Sequence, residues 1–336
     1  MTLRGPLCRL LRTQLNNTCQ SRAHSVAVLG APFSKGQKRG GVENGPKAIR
    51  DAGLIERLSH LDYPVHDFGD LSFQYLEKDE PYMHVPFPRT VGRANKLLSG
   101  AVSNAVRAGH TTIMLGGDHS LAIGSVEGHA RQRPDLCLIW VDAHADINTP
   151  LTSPSGNLHG QSMPELPGFS WVKPFLSAKD LVYIGLRDVD PGEYDILKDL
   201  GVQYFTMRDI DRLGIQRVME VTFDHLLSRM QRPIHLSFDI DAMDPSLAPA
   251  TGTPVNGGLT YREGIWITEE IHNTGLLSVM DLVEVNPNLG ASREAVESTA
   301  SMAVDVIASA LGQTREGGPI TQESQTLKED TEQLRL

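Results

Sequence analysis

The chain has 336 residues, of which 40% are hydrophobic and 21% are charged, which is enough to form a large buried core. Its formal net charge of -10 argues against a general nucleic-acid-binding protein, because neutralising phosphates requires a basic surface. Cys8, Cys19 and Cys137 form no CxxC pair, which argues against a disulfide framework and against zinc fingers. No apolar run approaches the roughly 20 residues of a membrane span. A small-molecule substrate and a reducing compartment are therefore expected.

The amino-terminal segment is basic, and the first acidic residue of the chain is Glu43. Within it Leu3, Leu7, Leu10 and Leu11 follow helical spacing, with arginines and hydroxyl residues between them. This pattern predicts a mitochondrial transit peptide over residues 1–22, and a disordered basic tail is the alternative. At the other end, residues 318–336 are polar and charged, and we expect them to be disordered.

Between these ends, short apolar runs alternate with longer amphipathic segments. The runs predict strands at 25–29, 111–115, 136–141, 181–186, 234–238 and 277–285, and the amphipathic segments predict helices at 91–108, 120–131, 214–230, 260–273 and 292–311. Continuously apolar strands separated by helices indicate an α/β fold in three layers, α/β/α, with a mostly parallel central sheet. Ligands of such sheets bind at the carboxyl ends of the strands.

Three short polar clusters follow predicted strands. They are Gly116-Gly117-Asp118-His119-Ser120, Asp142-Ala143-His144-Ala145-Asp146 and Asp239-Ile240-Asp241. Alternate residues at the end of a strand point the same way, so the side chains of each cluster can converge. His119 alone could equally begin a helix, with Asp118 or Ser120 as its N-cap. The second cluster is different, because its three ionisable groups end a very apolar strand and would repel one another without a counterion.

The clusters predict a site for two metal ions. Imidazole and carboxylate ligands without thiolates suit manganese, magnesium, iron or zinc, and manganese is the preferred assignment. Two such ions can share and activate a water molecule, which indicates hydrolysis. At this point phosphate esters, amides and guanidinium groups all remain open as substrates.

The same motifs resemble the metal signatures of the ureohydrolase family. The resemblance covers about residues 25–317 and extends to four further runs: Ser155-Gly156-Asn157-Leu158-His159-Gly160, Gly185-Leu186-Arg187-Asp188-Val189-Asp190, Thr251-Gly252-Thr253-Pro254 and Glu284-Val285-Asn286-Pro287. Within that family the chain is similar to arginases rather than to agmatinases, and its basic leader is similar to that of mitochondrial arginases of animals. The resemblance implies an arginase catalytic domain over residues 23–317 with the arginase/deacetylase-like fold.

It also implies a chemistry. One Mn²⁺ would be held by His119, Asp142, Asp146 and Asp239, and the other by Asp142, His144, Asp239 and Asp241. A hydroxide bridging the two Mn²⁺ would attack the guanidinium carbon of L-arginine and yield L-ornithine and urea. By the same resemblance Asp146 donates a proton to the leaving amine, His159 acts as proton shuttle, and the carboxylate of Glu284 complements the guanidinium.

The remaining implied roles concern substrate selection. Asn148, Ser155 and Asn157 would bind the α-carboxylate, and Asp190 and Glu193 the α-ammonium. His144, Gly156 and Thr253 are the other substrate-binding positions. Agmatine lacks the α-carboxylate, so this loop would discriminate against it. The alternative is that residues 148–157 form only a Ser/Thr/Asn/Pro turn without a role in substrate binding. Arginases are trimers, so a homotrimer without nucleic-acid or membrane partners is implied, in the mitochondrial matrix.

One feature departs from the family. Between Gln161 and Leu166 the chain has only Ser162-Met163-Pro164-Glu165, where arginases carry roughly ten more residues, a difference beyond ordinary loop trimming. Shortening this connection could displace His159. Two alternative functions therefore stay open: an impaired or non-catalytic arginine-binding protein, and a hydrolase of another guanidino compound such as agmatine.

Overall fold

The computed structural model describes residues 25–61, 63–149 and 166–315. Its strands are β1 (Ser25–Ala31), β2 (Val65–Asp70), β3 (His110–Gly116), β4 (Cys137–Val141), β5 (Leu181–Leu186), β6 (Gln203–Thr206), β7 (Ile234–Asp239) and β8 (Leu277–Val283). The helices are α1 (Gly45–Asp51), α2 (Leu54–Ser59), α3 (Pro88–Ala108), α4 (Ala122–Gln132), α5 (Pro191–Leu200), α6 (Met207–Leu213), α7 (Ile215–Leu227), α8 (Tyr261–Asn273) and α9 (Arg293–Ala310). The predicted transit peptide and carboxyl-terminal tail lie outside the described residues.

All eight strands form one parallel sheet in the order β2-β1-β3-β8-β7-β4-β5-β6. The four central strands are therefore β3, β8, β7 and β4. Each of the polar clusters follows one of these four strands, as does Glu284. Because the strands are parallel, their carboxyl ends meet at one edge of the sheet, which brings residues distant in sequence into one site.

Helices cover the sheet on both faces. One face packs against α1, α2 and α6 to α9 in the largest apolar cluster, and the other face packs against α3, α4 and α5. The alternation is visible on β7, where Ile234, Leu236 and Phe238 contact the larger cluster. His235, Ser237 and Asp239 alternate with them and project to the opposite face. That second face therefore carries a buried row of polar groups which leads to the cluster at the strand end.

The predicted three-layer fold with its parallel sheet is confirmed, and so are the six predicted strands. Two strands were missed, β2 and β6, and both lie at the edges of the sheet. Their sequences, VHDFGD and QYFT, are polar and partly exposed, so they lack the continuous apolar signal of the buried strands. The last predicted strand ends two residues early, at Val283, because Glu284 adopts the left-handed conformation with φ of 66°.

The predicted helix at 214–230 begins one residue later and is shorter than expected. Gly214, with φ of 76°, separates α6 from α7. Four short helices that the sequence did not indicate, α1, α2, α5 and α6, connect the longer elements. Within the described ranges, none of the helices combines the length and the apolar character that crossing a membrane requires.

Candidate metal centre and active site

The first ligand cluster surrounds the imidazole of His119, which lies in the turn after β3. Its Nδ1 is 3.1 Å from Asp142 Oδ2, 3.2 Å from Asp146 Oδ2 and 3.2 Å from Asp239 Oδ2. Nevertheless Nδ1 forms no well-aligned hydrogen bond with any described residue. The imidazole nitrogen and the three carboxylate oxygens therefore lie close enough together to be ligands of one metal ion.

The other ring nitrogen of His119 explains why Nδ1 is free to act as a ligand. His119 Nε2 lies 2.8 Å from the hydroxyl of Ser237, on β7. If Nε2 carries the hydrogen and donates it to Ser237, Nδ1 keeps its lone pair and faces the carboxylates. In that tautomer the contact with Ser237 leaves Nδ1 available to bind a cation.

The second ligand cluster shares Asp142 with the first. His144 Nδ1 lies 3.2 Å from Asp241 Oδ2 and 3.4 Å from Asp142 Oδ1. Each of the triads His119/Asp142/Asp146 and Asp142/His144/Asp241 has its ligand atoms within 4.8 Å of one another. One carboxylate that contributes an oxygen to each of two clusters is the arrangement of a bridged two-metal site.

Backbone amides fix the orientation of the Asp142 and Asp239 carboxylates. The N–H of His144 donates to Asp142 Oδ1 at 2.7 Å, and the N–H of Asp241 donates to Asp239 Oδ1 at 2.8 Å. These contacts arise because each acid stands two residues before its donor in a turn. The local backbone therefore orients both carboxylates.

The pKa shifts of the clustered side chains show that positive charge is stabilised there. Burial disfavours the charged form of histidine, yet the surrounding carboxylates raise the pKa of His119 and that of His144 well above the ordinary value. Burial and neighbouring carboxylates raise the pKa of Asp239 and that of Asp241. These shifts show that positive charge is favourable at both clusters, so the donor set fits divalent cations.

Two of the predicted site residues have a strained backbone conformation. Asp146 has φ of 50° and Glu284 has φ of 66°, and both are non-glycine residues in the left-handed region. Such conformations cost roughly 1–3 kcal/mol each and persist only where the surrounding contacts enforce them. Here the Asp146 carboxylate lies beside His119 Nδ1, and the Glu284 carboxylate accepts the backbone N–H of His119.

Glu284 lies beside the first cluster without belonging to it. Its Oε1 accepts the backbone N–H of His119 at 2.9 Å, and its Oε2 accepts Gln37 Nε2 at 2.8 Å. Burial, and then the charge of Asp118, raise the pKa of Glu284 to about 8. A cationic partner would stabilise the charged form of this buried carboxylate, as expected for a group that binds a guanidinium.

The predicted substrate-binding residues are partly engaged with one another. Asn148 Nδ2 donates to Asp190 Oδ2 at 2.9 Å, and Thr253 Oγ1 donates to Asp241 Oδ2 at 2.9 Å. Glu193 accepts the backbone N–H of Ile147 at 3.0 Å and that of Asp190 at 3.1 Å. Glu193 therefore also ties the loop after β4 to the start of α5. The predicted residues Ser155, Gly156, Asn157 and His159, and the shortened segment 162–165, lie outside the described residues.

Sequence reasoning missed three supporting side chains: Trp140, Ser237 and Gln37. Trp140 Nε1 donates to Asp142 Oδ2 at 2.9 Å, and the indole stacks on the His119 ring with centroids 4.1 Å apart. Trp140 and Ser237 each stand two residues before a ligand on the same strand, so the strand period places them on the ligand's side. That signal was available in the sequence, whereas no local pattern pointed to Gln37.

Replacing Trp140 with phenylalanine should weaken metal binding about tenfold. The variant keeps an aromatic ring over His119 but removes the N–H that orients Asp142, and such supporting contacts commonly contribute 10–100-fold to metal affinity. The measurement is the Mn²⁺ concentration that gives half-maximal activity. Trp171→Phe is the matched control, because Trp171 Nε1 donates to the carbonyl of Gly168 instead. Equal Mn²⁺ requirements in the two variants would show that the indole N–H does not support the centre.

The parallel sheet and the paired His/Asp clusters at its carboxyl edge define a metal-dependent hydrolase. The model of the Arginase family matches residues 24–312. The chain therefore belongs to the arginase family.

Individual relatives agree with this assignment. "Arginase-2, mitochondrial" of Homo sapiens is 64% identical over 332 residues, which cover 95% of this chain and 94% of the relative. "Arginase, non-hepatic 1" of Xenopus laevis is also 64% identical, over 94% of this chain and 92% of the relative. Among solved structures, the arginase of Bacillus caldovelox superimposes with a TM-score of 0.80 at 39% identity, and covers 87% of this chain and 99% of the other.

Proposed function

We propose that this chain hydrolyses L-arginine to L-ornithine and urea at the site formed by the two His/Asp clusters and Glu284. The observation that carries the proposal is the sharing of Asp142 between two ligand clusters beside the buried carboxylate of Glu284. A two-metal centre suits hydrolysis, and the adjacent carboxylate selects a cationic substrate.

The residues proposed to hold two Mn²⁺ ions are His119, Asp142, Asp146 and Asp239 for one ion, and Asp142, His144, Asp239 and Asp241 for the other. Oxygen and imidazole donors without thiolates suit this ion. When bound, two such cations would supply a water nucleophile that is active at neutral pH.

The side chains of the chain itself would bind the substrate and move its protons. Glu284 would pair with the guanidinium and hold its central carbon over the clusters. Asp146, whose Oδ2 lies 3.2 Å from His119 Nδ1, would pass a proton to the leaving amine, so that ornithine departs neutral at that nitrogen. His159 is proposed to relay protons between this site and solvent.

Recognition of the amino-acid end of the substrate is proposed for the polar residues after β4 and their neighbours. Asn148, Ser155, Gly156 and Asn157 would bind the α-carboxylate, and Asp190 and Glu193 the α-ammonium. Thr253 and His144 would contribute from the metal side. Because Asn148 donates to Asp190 at 2.9 Å, the two halves of this recognition site are joined.

We expect purified, manganese-loaded protein to release urea and ornithine in equal amounts from L-arginine. Agmatine lacks the α-carboxylate, so its kcat/KM should be lower by roughly a hundredfold or more, because the polar groups of the site would remain unpaired. The measurement is urea release from both substrates under identical conditions. Arginine binding without urea would indicate a binding protein whose shortened segment 162–165 has removed turnover, and preference for agmatine would indicate a different guanidino hydrolase.

A mitochondrial location, in the matrix, is also proposed. The basic and acid-free sequence before Glu43 supports it, as do the relatives named as mitochondrial arginase-2. Fusion of residues 1–24 to a fluorescent protein tests the leader directly.

The homotrimer of the arginase resemblance is proposed for this chain as well. Sedimentation equilibrium of the full chain tests it, with a mass of three times 36.8 kDa as the expected result.

A further inference from the structure

Gln37 is a buried side chain that reaches the active site from a loop far away in sequence. It is 8% exposed, and its Nε2 donates to Glu284 Oε2 at 2.8 Å across a separation of 247 residues. The other oxygen of the same carboxylate accepts the backbone N–H of His119 at 2.9 Å. Glu284 is therefore held at both oxygens, once by a backbone amide and once by Gln37.

The loop that carries Gln37 is itself tied to the turn that carries His119. The N–H of Gly36 donates to Asp118 Oδ2 at 2.8 Å, while Asp118 Oδ1 accepts the N–H of Ser120 at 3.1 Å. A fully buried carboxylate thus joins the two segments on either side of Glu284. The distance between the first ligand cluster and Glu284 is consequently fixed by direct contacts.

Gly252 borders the same space from a third direction. A Cβ built on Gly252 would lie 3.5 Å from Gln37 Oε1 and 3.7 Å from Glu284 Oε2. These are ordinary contact distances. The two acceptor oxygens therefore face the position that a side chain would occupy if residue 252 were not glycine. The next residue, Thr253, donates to Asp241 at 2.9 Å, which attaches this loop to the second ligand cluster.

We propose that Gln37 positions the Glu284 carboxylate for the guanidinium of the substrate, and that Gly252 determines specificity by leaving room for that planar group. The inference rests on the proposed function of Glu284. A guanidinium offers its N–H donors in a rigid plane, so pairing with it requires a carboxylate of fixed orientation. Because the amide group of Gln37 must face Glu284 to donate, its Oε1 is left as a second acceptor on the open side.

The substitution Gln37→Met tests the positioning role, since methionine has similar length and no hydrogen-bond donor. We expect kcat/KM for L-arginine to fall about tenfold or more, the usual effect of removing a hydrogen bond to a charged group. The Mn²⁺ concentration for half-maximal activity should stay within about twofold of the original, because the hydrogen bond of Gln37 goes to Glu284 and not to a proposed metal ligand. Lys38→Met is the matched control, as Lys38 is exposed on the same loop.

Two results would overturn the positioning role. One is a kcat/KM for Gln37→Met equal to that of Lys38→Met. The other is a loss of Mn²⁺ affinity in parallel with kcat/KM, because that would mean that Gln37 only maintains the local fold.

The substitution Gly252→Ala tests whether Gly252 leaves room for the guanidinium. The backbone at Gly252 is not left-handed and the new methyl group meets its neighbours at contact distance, so the variant should fold with an unchanged thermal midpoint. With the methyl in the proposed guanidinium space, kcat/KM should fall at least about tenfold. Gly100→Ala is the control, since a Cβ there meets nothing within 4 Å. Activity equal to that control would refute the assignment of Gly252.

The variant Glu284→Gln separates this inference from the proposed function. If Glu284→Gln retains full kcat/KM for L-arginine, Glu284 does not bind the guanidinium and the proposed function of that residue fails. If Glu284→Gln loses activity while Gln37→Met does not, only the positioning role fails. A double variant no worse than Glu284→Gln alone is the result expected if Gln37 acts through Glu284.

Discussion

Asp142→Asn should greatly reduce turnover and leave the protein unable to retain two metal ions. Asp142 contributes one oxygen to each ligand cluster, at 3.1 Å from His119 Nδ1 and 3.4 Å from His144 Nδ1. Asparagine preserves the volume of the buried side chain but removes the negative charge that the two proposed ion sites share. We expect kcat to fall on the order of a thousandfold, because the activated water depends on both cations.

The measurement combines metal content by mass spectrometry with urea release. Chelator-treated wild-type protein should regain activity when Mn²⁺ is added. Asp142→Asn should stay inactive at the Mn²⁺ concentrations that restore the wild type. Asp51→Asn is the control, because Asp51 is an exposed surface carboxylate paired with Lys47. Retention of two ions per chain by Asp142→Asn would contradict the bridging role.

The sequence was informative about the ligands because they obey a local rule. Asp142, His144 and Asp146 alternate after an apolar strand, as do Asp239 and Asp241, so the strand spacing predicted that their side chains would converge. In the structure turns bring them together, since Asp146 is left-handed and Asp241 lies in a 3-10 helix. His119 was ambiguous by itself, and Asp118 does cap the turn beside it, accepting the N–H of Ser120. The two readings proved compatible, because the cap fixes the turn that presents the imidazole.

Other parts of the site could not be predicted in this way. The contact between Gln37 and Glu284 joins segments 247 residues apart and depends on the order of strands in the sheet. No periodicity in either segment encodes that order. The edge strands β2 and β6 were missed for a related reason, since a half-exposed strand carries a weaker apolar signal than a buried one.

Gly117→Ala should lower the free energy of unfolding by about 3 kcal/mol and disturb the active site at the same time. A Cβ at Gly117 would lie 1.8 Å from the carbonyl oxygen of Phe33 and 2.7 Å from its amide nitrogen. These are backbone atoms, so the clash cannot be relieved by a side-chain rotation. The loop after β1 must therefore move away from the turn after β3.

That movement would break hydrogen bonds on which the site depends. The N–H of Gly117 donates to Ala31 at 2.9 Å, the N–H of Asp118 donates to Phe33 at 2.9 Å, and the carbonyl of Gly117 accepts the N–H of Glu284 at 2.9 Å. These bonds join the ends of β1, β3 and β8, and each buried donor left unpaired costs about 1–3 kcal/mol. His119 and Glu284 would shift together, so kcat/KM should fall even at temperatures where the variant stays folded.

Urea unfolding followed by circular dichroism measures the stability, and urea-free kinetic assays below the thermal midpoint measure the activity. Gly100→Ala provides the comparison, because its added methyl meets nothing and lies within the helix α3, where alanine is favoured over glycine by up to about 1 kcal/mol. The same substitution is thus expected to lower the free energy of unfolding at Gly117 and to raise it at Gly100. Equal stability of Gly117→Ala and Gly100→Ala would show that the loop after β1 does not lie against the turn after β3 at Gly117. The rigid link between the metal cluster and Glu284 depends on that contact.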